Sequence, residues 1–342
     1  MLRIDIGTDE IGAGERFRVS FYRTLRVPDD GKTYPLPPGL GKFPLFRVED
    51  FGDRLPPEMR EQGGVLVPVY QREALWLGFH AAPWKPNAVI VAIGRINAIT
   101  GAVDDGALCA DPQNYLVCPD QPWLDGIHTA HGAIRQFVAM PLGLGYTVEA
   151  ALTQAETVGG IQLTVFEPKP GRFPDTAPAR RDEGPQRLSG LGAGARMGLG
   201  AGGVIRQKIY PDSYGQDTWD AGNSGHVVVH LINSAQFREI TGLAPPPTPV
   251  DAKAYTDHGF PWFDLYDEAR GAVAPTGQFS SVTTIADRDD QRGQSDPHDP
   301  SFDVPESQVG TLQAGAPIGE TSPANKAANR PSPRRFSKGE TK

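Results

Sequence analysis

Cysteine is nearly missing from this chain: 342 residues contain two, Cys109 and Cys118. Two thiols nine positions apart do not make a disulfide framework, and no CxxC pair supports a structural zinc site. Free thiols in a reducing compartment are the simpler expectation. Long apolar runs are missing too. The longest, Ala88 to Ile93, has the length of a strand, whereas a membrane span needs roughly 18–20 apolar residues. The N-terminus lacks the h-region of about 7–15 apolar residues that a signal peptide requires. These absences lead to the expectation of a soluble, cytoplasmic protein without a membrane span. Positive charge is in deficit, with 33 Lys and Arg against 41 Asp and Glu and a net charge of −8. A nucleic-acid partner is therefore not expected, because phosphate contact needs a basic surface.

Catalytic signatures are equally scarce. No GxxxxGK[ST] loop and no GxSxG serine occur. Gly198, Gly200 and Gly203 fit GxGxxG on paper, but the dinucleotide fingerprint needs a strand before it and a helix after it. Here a Gly-rich stretch precedes and strand signal follows. No cofactor is expected, and no metal site.

What is abundant is glycine (40) and proline (33), against a hydrophobic content of 39%. That composition opposes long helices and favours many short strands joined by turns. Residues 16–27 alternate, with Phe17, Val19 and Phe21 on one face and Arg16, Arg18 and Ser20 on the other, as in a half-buried strand. Residues 64–79 and 88–97 are two further apolar stretches. Strand signal returns at 204–210 and 225–232. After the latter, Asn233 or Ser234 caps a helix that Gly242 ends. Pro245, Pro246, Pro247 and Pro249 then impose polyproline II geometry, and a short helix follows from Asp251 to His258.

The fold class expected from these signals is mainly β (α+β), with a few short helices. The organisation expected is an N-terminal β-rich domain over 1–173, a Gly-rich connector over 174–203, a C-terminal β-rich domain over 204–285 and a disordered tail over 286–342. The tail is assigned by its few apolar residues, too few to offset ordering entropy.

The densest signal runs from Gln121 to Gly171. It holds two strand-like runs, 134–140 and 161–166, and the one concentration of potentially reactive groups: Asp125, His128, His131, Arg135 and Glu149. Asp125-Gly126 is a turn signal. Asp125, His128 and His131 form a loop triad that could converge on one metal, but the closing ligand is not identifiable. The simpler reading is two histidines at a strand entrance. His226 and His230 resemble HxxxH, yet the three valines between them favour a strand. On a strand they stand roughly 13 Å apart, too far to share an ion. Residues 260–268 combine Trp262, Phe263 and Tyr266 with Asp264, Asp267 and Glu268. They read either as an aromatic platform with an acidic rim, with Trp262, Tyr266 and Asp264 touching a ligand, or as packing of the second domain. Packing is the stronger of the two.

Four blocks carry a family likeness: RQFVAMPLGLGYTVEAALT (135–153), GGIQLTVFEPKPGRF (159–173), IYPDSYGQDTWD (209–220) and HLINSAQFREITGLAPPPTP (230–249). In them the chain resembles a family of uncharacterised bacterial and fungal proteins that share RQFVAMPLGxGYTVE and GGIQLxVFEPKPG. The likeness spans about residues 15 to 285 and implies no activity or catalytic residue. Strong fold signals beside absent catalytic signatures point to a non-catalytic binding or scaffolding protein acting through protein–protein contacts. The alternative is a hydrolase or carbohydrate-active enzyme using Asp125, His128, His131 or Glu149 in a cleft.

Overall fold

The computed structural model describes residues 1–130, 132–176, 196–264, 271–294 and 300–311. The chain is mostly β. Ten strands carry the body: β1 (Phe17–Thr24), β2 (Thr33–Tyr34), β3 (Val65–Val69), β4 (Ala74–His80), β5 (Asn87–Ile93), β6 (Gly126–Ala130), β7 (Ala133–Pro141), β8 (Ile161–Pro168), β9 (Arg196–Arg206) and β10 (Trp219–Asn233). They join one large, mainly antiparallel sheet in the order β1-β4-β7-β9-β10-β8-β5. Two pairings are parallel, β3 with the end of β10 and β2 with the end of β9.

Strands from both sides of the expected 174–203 connector pair directly. β7 lies against β9, and β8 against β10. One apolar cluster draws Phe17, Leu77, Val91, Phe137 and Leu163 together with Leu199 and Val229. Residues 196–203, read from sequence as connector, are most of β9. Glycine is depleted in strands because it contributes no packing surface, which is why the segment looks like a loop. Here the missing side chain is what permits the pairing. A Cβ on Gly203 would lie 2.1 Å from the Pro28 carbonyl oxygen, and one on Gly200 2.8 Å from that of Tyr146.

β7 is covered on both faces, as its unbroken apolar run implies. Phe137 and Ala139 enter the main core. Val138 and Met140 face a second cluster with Ala74, Tyr146 and Ile285, and Ile134 enters a third. The outer face of β1 is also covered, contrary to its polar pattern. Ser20 and Tyr22 are buried there, with the Tyr22 ring stacked on Trp76 at 4.0 Å.

Five short α-helices occur among the described residues: α1 (Pro57–Gln62), α2 (Val148–Thr153), α3 (Ser234–Thr241), α4 (Ala252–Asp257) and α5 (Ile285–Gln291). α3 starts and stops where its capping residues place it. The Asn233 side chain accepts from the Ala235 N–H, and Gly242 adopts φ 74°. Asp251 caps α4 in the same way through the Ala254 N–H. None of these helices is long and apolar enough to cross a membrane.

The expected tail begins too early. α5 carries a capping box in which Thr284 and Asp287 satisfy each other's backbone N–H. Ile285 is fully buried, and Phe302 is 8% exposed. The segment has few apolar residues, but those few land on apolar surface of the body. Residues 312–342 of the expected tail lie outside the described residues. Both cysteines are free, with Cys109 exposed and Cys118 buried.

Candidate functional site

The groups that the dense block suggested are held by separate sets of partners. Asp125, 3% exposed, precedes β6. Its N–H donates to Gln207 Oε1 at 3.1 Å, and its Oδ2 accepts from Gln207 Nε2 at 2.8 Å. Burial pushes its carboxyl up to about 7, against the opposing hydrogen bonds from Gln207 and Trp123. Gly126 follows because a Cβ there would lie 1.9 Å from the Arg135 carbonyl oxygen. His128, 1% exposed, sits on β6, with its N–H donating to the Ala98 carbonyl at 2.9 Å. His131 lies outside the described residues.

Glu149 belongs to the first turn of α2 and is 4% exposed. Its carboxylate accepts from the N–H groups of Thr157 and Val158 at 2.9 Å and of Gly159 at 2.8 Å. It therefore latches the loop that leads into β8. Arg135 pairs with Asp29 at 2.7 Å. Both remaining histidines of interest lie on β10. His226 faces the Thr164 hydroxyl at 3.1 Å, and His230 is buried beside the Gly63 carbonyl at 2.9 Å. Among the described residues no group of three or more His, Cys, Asp or Glu side chains is placed to hold a metal ion.

A different set of residues converges, around β2. The strand follows a bend at 30–31, and its continuation, Leu36, exchanges both backbone hydrogen bonds with Phe263, at 2.8 and 3.0 Å. Phe263 is the middle of β11 (Trp262–Asp264). On β11 lies β12 (Val309–Thr311), parallel, with Trp262 opposite Val309 and Asp264 opposite Thr311. Three extended segments, distant in sequence, thus lie side by side as one wall.

The floor is aromatic. Trp262 is fully buried, and its indole N–H donates to Thr256 Oγ1 at 3.1 Å. The Phe302 ring stands 5.1 Å from Tyr34 and 5.8 Å from Trp262, in tilted contacts that favour aromatic pairs. The rim is polar. Asp30 accepts from the Tyr34 hydroxyl at 2.8 Å and from the Ser301 hydroxyl at 2.6 Å. Lys32 Nζ donates to the Phe302 carbonyl at 3.2 Å and pairs with Asp303 at 2.8 Å. Arg206, at the end of β9, pairs with Asp264 at 2.9 Å.

Burial raises the Asp30 carboxyl, but the hydrogen bonds from Ser301, Tyr34 and the Lys32 N–H outweigh it and hold the group below the usual carboxylate range. Tyr34 moves up, through burial first and then the Asp30 carboxylate. Beside these groups the described residues leave a cavity of about 500 Å³, lined among others by Lys32, Tyr34, Arg206, Asp264, Phe302 and Glu306.

Of the residues singled out in 260–268, Trp262 packs the floor, Asp264 stands on the rim, and Tyr266 lies outside the described residues. Sequence reasoning missed Asp30, Lys32, Tyr34, Arg206 and Phe302. A lone phenylalanine in a polar segment, Ser301-Phe302-Asp303, was the available signal. No protein-family model, no curated protein and no solved structure matches this chain.

Proposed function

We propose that this chain is a binding module acting through protein contacts, and that the groove between β2, β11 and α4 holds an extended peptide segment. The observation that carries this reading is the chain's own segment 301–311, which lies there as two extended stretches, 301–305 and 309–311, joined by a 3-10 turn at Glu306–Gln308. Phe302 fills the aromatic floor, its carbonyl accepts from Lys32, and residues 309–311 add a strand to β11. An aromatic anchor combined with main-chain strand addition is a recurring mode of peptide recognition. The cavity left beside Phe302 leaves room for a bulkier occupant.

The test opens the groove in the full-length chain with Phe302→Ala and adds a fluorescent peptide of residues 300–311. The variant should bind the peptide, and the wild-type chain should bind it at least tenfold more weakly, because its own segment competes. A peptide carrying alanine for the phenylalanine should not bind. A folded Phe302→Ala chain that ignores the peptide would overturn the reading. Circular dichroism of the variant separates that result from unfolding.

A further inference from the structure

The proline run after α3 has a role that the groove does not use. Residues 243–250 form neither helix nor strand, and Pro247, Thr248, Pro249 and Val250 are exposed. Four prolines in five positions hold φ near −65° and favour polyproline II. Both ends are anchored, by Gly242 closing α3 and by Asp251 capping α4.

The body also grips the middle of the run. The Tyr70 hydroxyl donates to the Pro246 carbonyl at 2.9 Å, and the Arg23 guanidinium donates to the Pro247 carbonyl at 2.6 Å. These two donors are themselves fixed by one buried carboxylate. Glu73 accepts from Arg23 Nε at 2.6 Å and from the Tyr70 N–H at 2.8 Å. The Arg23 guanidinium also lies over the Phe43 ring, 5.7 Å from its centroid.

This is a built support. It takes up carbonyls on the inner side of the run and leaves Pro247 to Val250 outward. We infer that residues 245–250 are a docking ledge for a partner protein with an aromatic-lined, proline-recognising groove. Such grooves take polyproline II segments because little conformational entropy remains to be lost. Here the support has removed more of it before the partner arrives. The inference is independent of the peptide groove, since no residue of the ledge or its support lines that groove.

The test titrates the full-length chain into purified SH3 and WW domains and follows the fluorescence of their groove tryptophan. At least one should bind. Pro247→Ala with Pro249→Ala should weaken that binding at least tenfold while leaving the thermal midpoint unchanged, because both side chains are exposed. Tyr70→Phe removes one support without touching the ledge and should weaken binding about two- to fivefold. A free peptide of residues 243–251 should bind more weakly than the chain. The inference fails if neither domain binds, if the double variant binds as the wild type does, or if the free peptide matches the chain.

Discussion

Arg72 and Asp289, 217 positions apart, form a two-pronged ion pair at 2.7 and 2.8 Å that fastens α5 to the body. The Tyr146 hydroxyl adds a third hydrogen bond to the same carboxylate at 2.6 Å. The Asp289 side chain is 6% exposed and that of Arg72 22%. Asp289→Ala removes both prongs and the Tyr146 hydrogen bond, and should cost roughly 1.5–3 kcal/mol in denaturant unfolding. Ending the chain at residue 284 removes Ile285 from its cluster and Phe302 from the groove floor. The truncated chain should melt several degrees lower, and an unchanged midpoint would mean that α5 does not pack.

Phe137 is the test of the main core. It is fully buried at the centre of β7, paired with β4 on one side and β9 on the other. Phe137→Ala should cost roughly 3–5 kcal/mol, with the cavity it leaves setting the position in that range. A neutral result would place the core elsewhere.

Asp125 makes stability fall as pH rises. The folded chain keeps this proton up to about 7, while an unfolded aspartate releases it near about 3.9. Between those values the folded state binds more protons, so this group's stabilising contribution, full below about pH 4, is lost by pH 7–8. Asp125→Asn preserves an oxygen for Gln207 Nε2 and removes the ionisation. It should stabilise the chain at pH 8 by about 2–4 kcal/mol, measured as the shift in urea unfolding, and should change little at pH 4.

His230 works with the opposite sign. Burial lowers its pKa to about 4, with the charge of Arg196 in the same direction and the hydrogen bond to Gly63 opposing. The unfolded chain takes up the proton near about 6.5. Stability from this group is therefore present above about pH 6.5 and lost as pH falls toward 4, by about 3 kcal/mol in all. His230→Gln keeps a donor for the Gly63 carbonyl and should flatten that acid loss. The Asp125 and His230 slopes oppose each other between pH 4 and 6.5. Each single variant should therefore expose the slope of the other residue, and parallel pH profiles for the two variants would contradict both assignments.

Wherever the physics is local, the sequence alone determined the structure. Asn233, Gly242 and Asp251 set the bounds of α3 and α4 because a cap needs only the N–H groups two or three residues on. The alternation of Phe17, Val19 and Phe21 marked β1, since successive side chains in a strand point to opposite faces. The helix at Ile285–Gln291 was not legible, because its cap ends in Asp287 rather than Glu or Gln and few apolar residues follow it.

Tertiary structure alone decided the rest, because the partners come from far along the chain. The glycine-rich stretch 198–203 becomes strand through the pairing of β9 with β7, and Tyr146, Val138 and Pro28 leave no room for a Cβ at Gly200, Gly202 and Gly203. Asp125 became a buried structural carboxyl through Gln207, 82 positions away, and Glu149 became a loop latch through N–H groups that its own sequence context does not mark. The groove is the clearest case. Lys32, Tyr34 and Arg206 look ordinary in sequence, and nothing local marks Trp262 and Phe302 as partners of one another. They come together only where β2, β9, β11 and the 301–311 segment meet, since burial and pairing depend on distance in space.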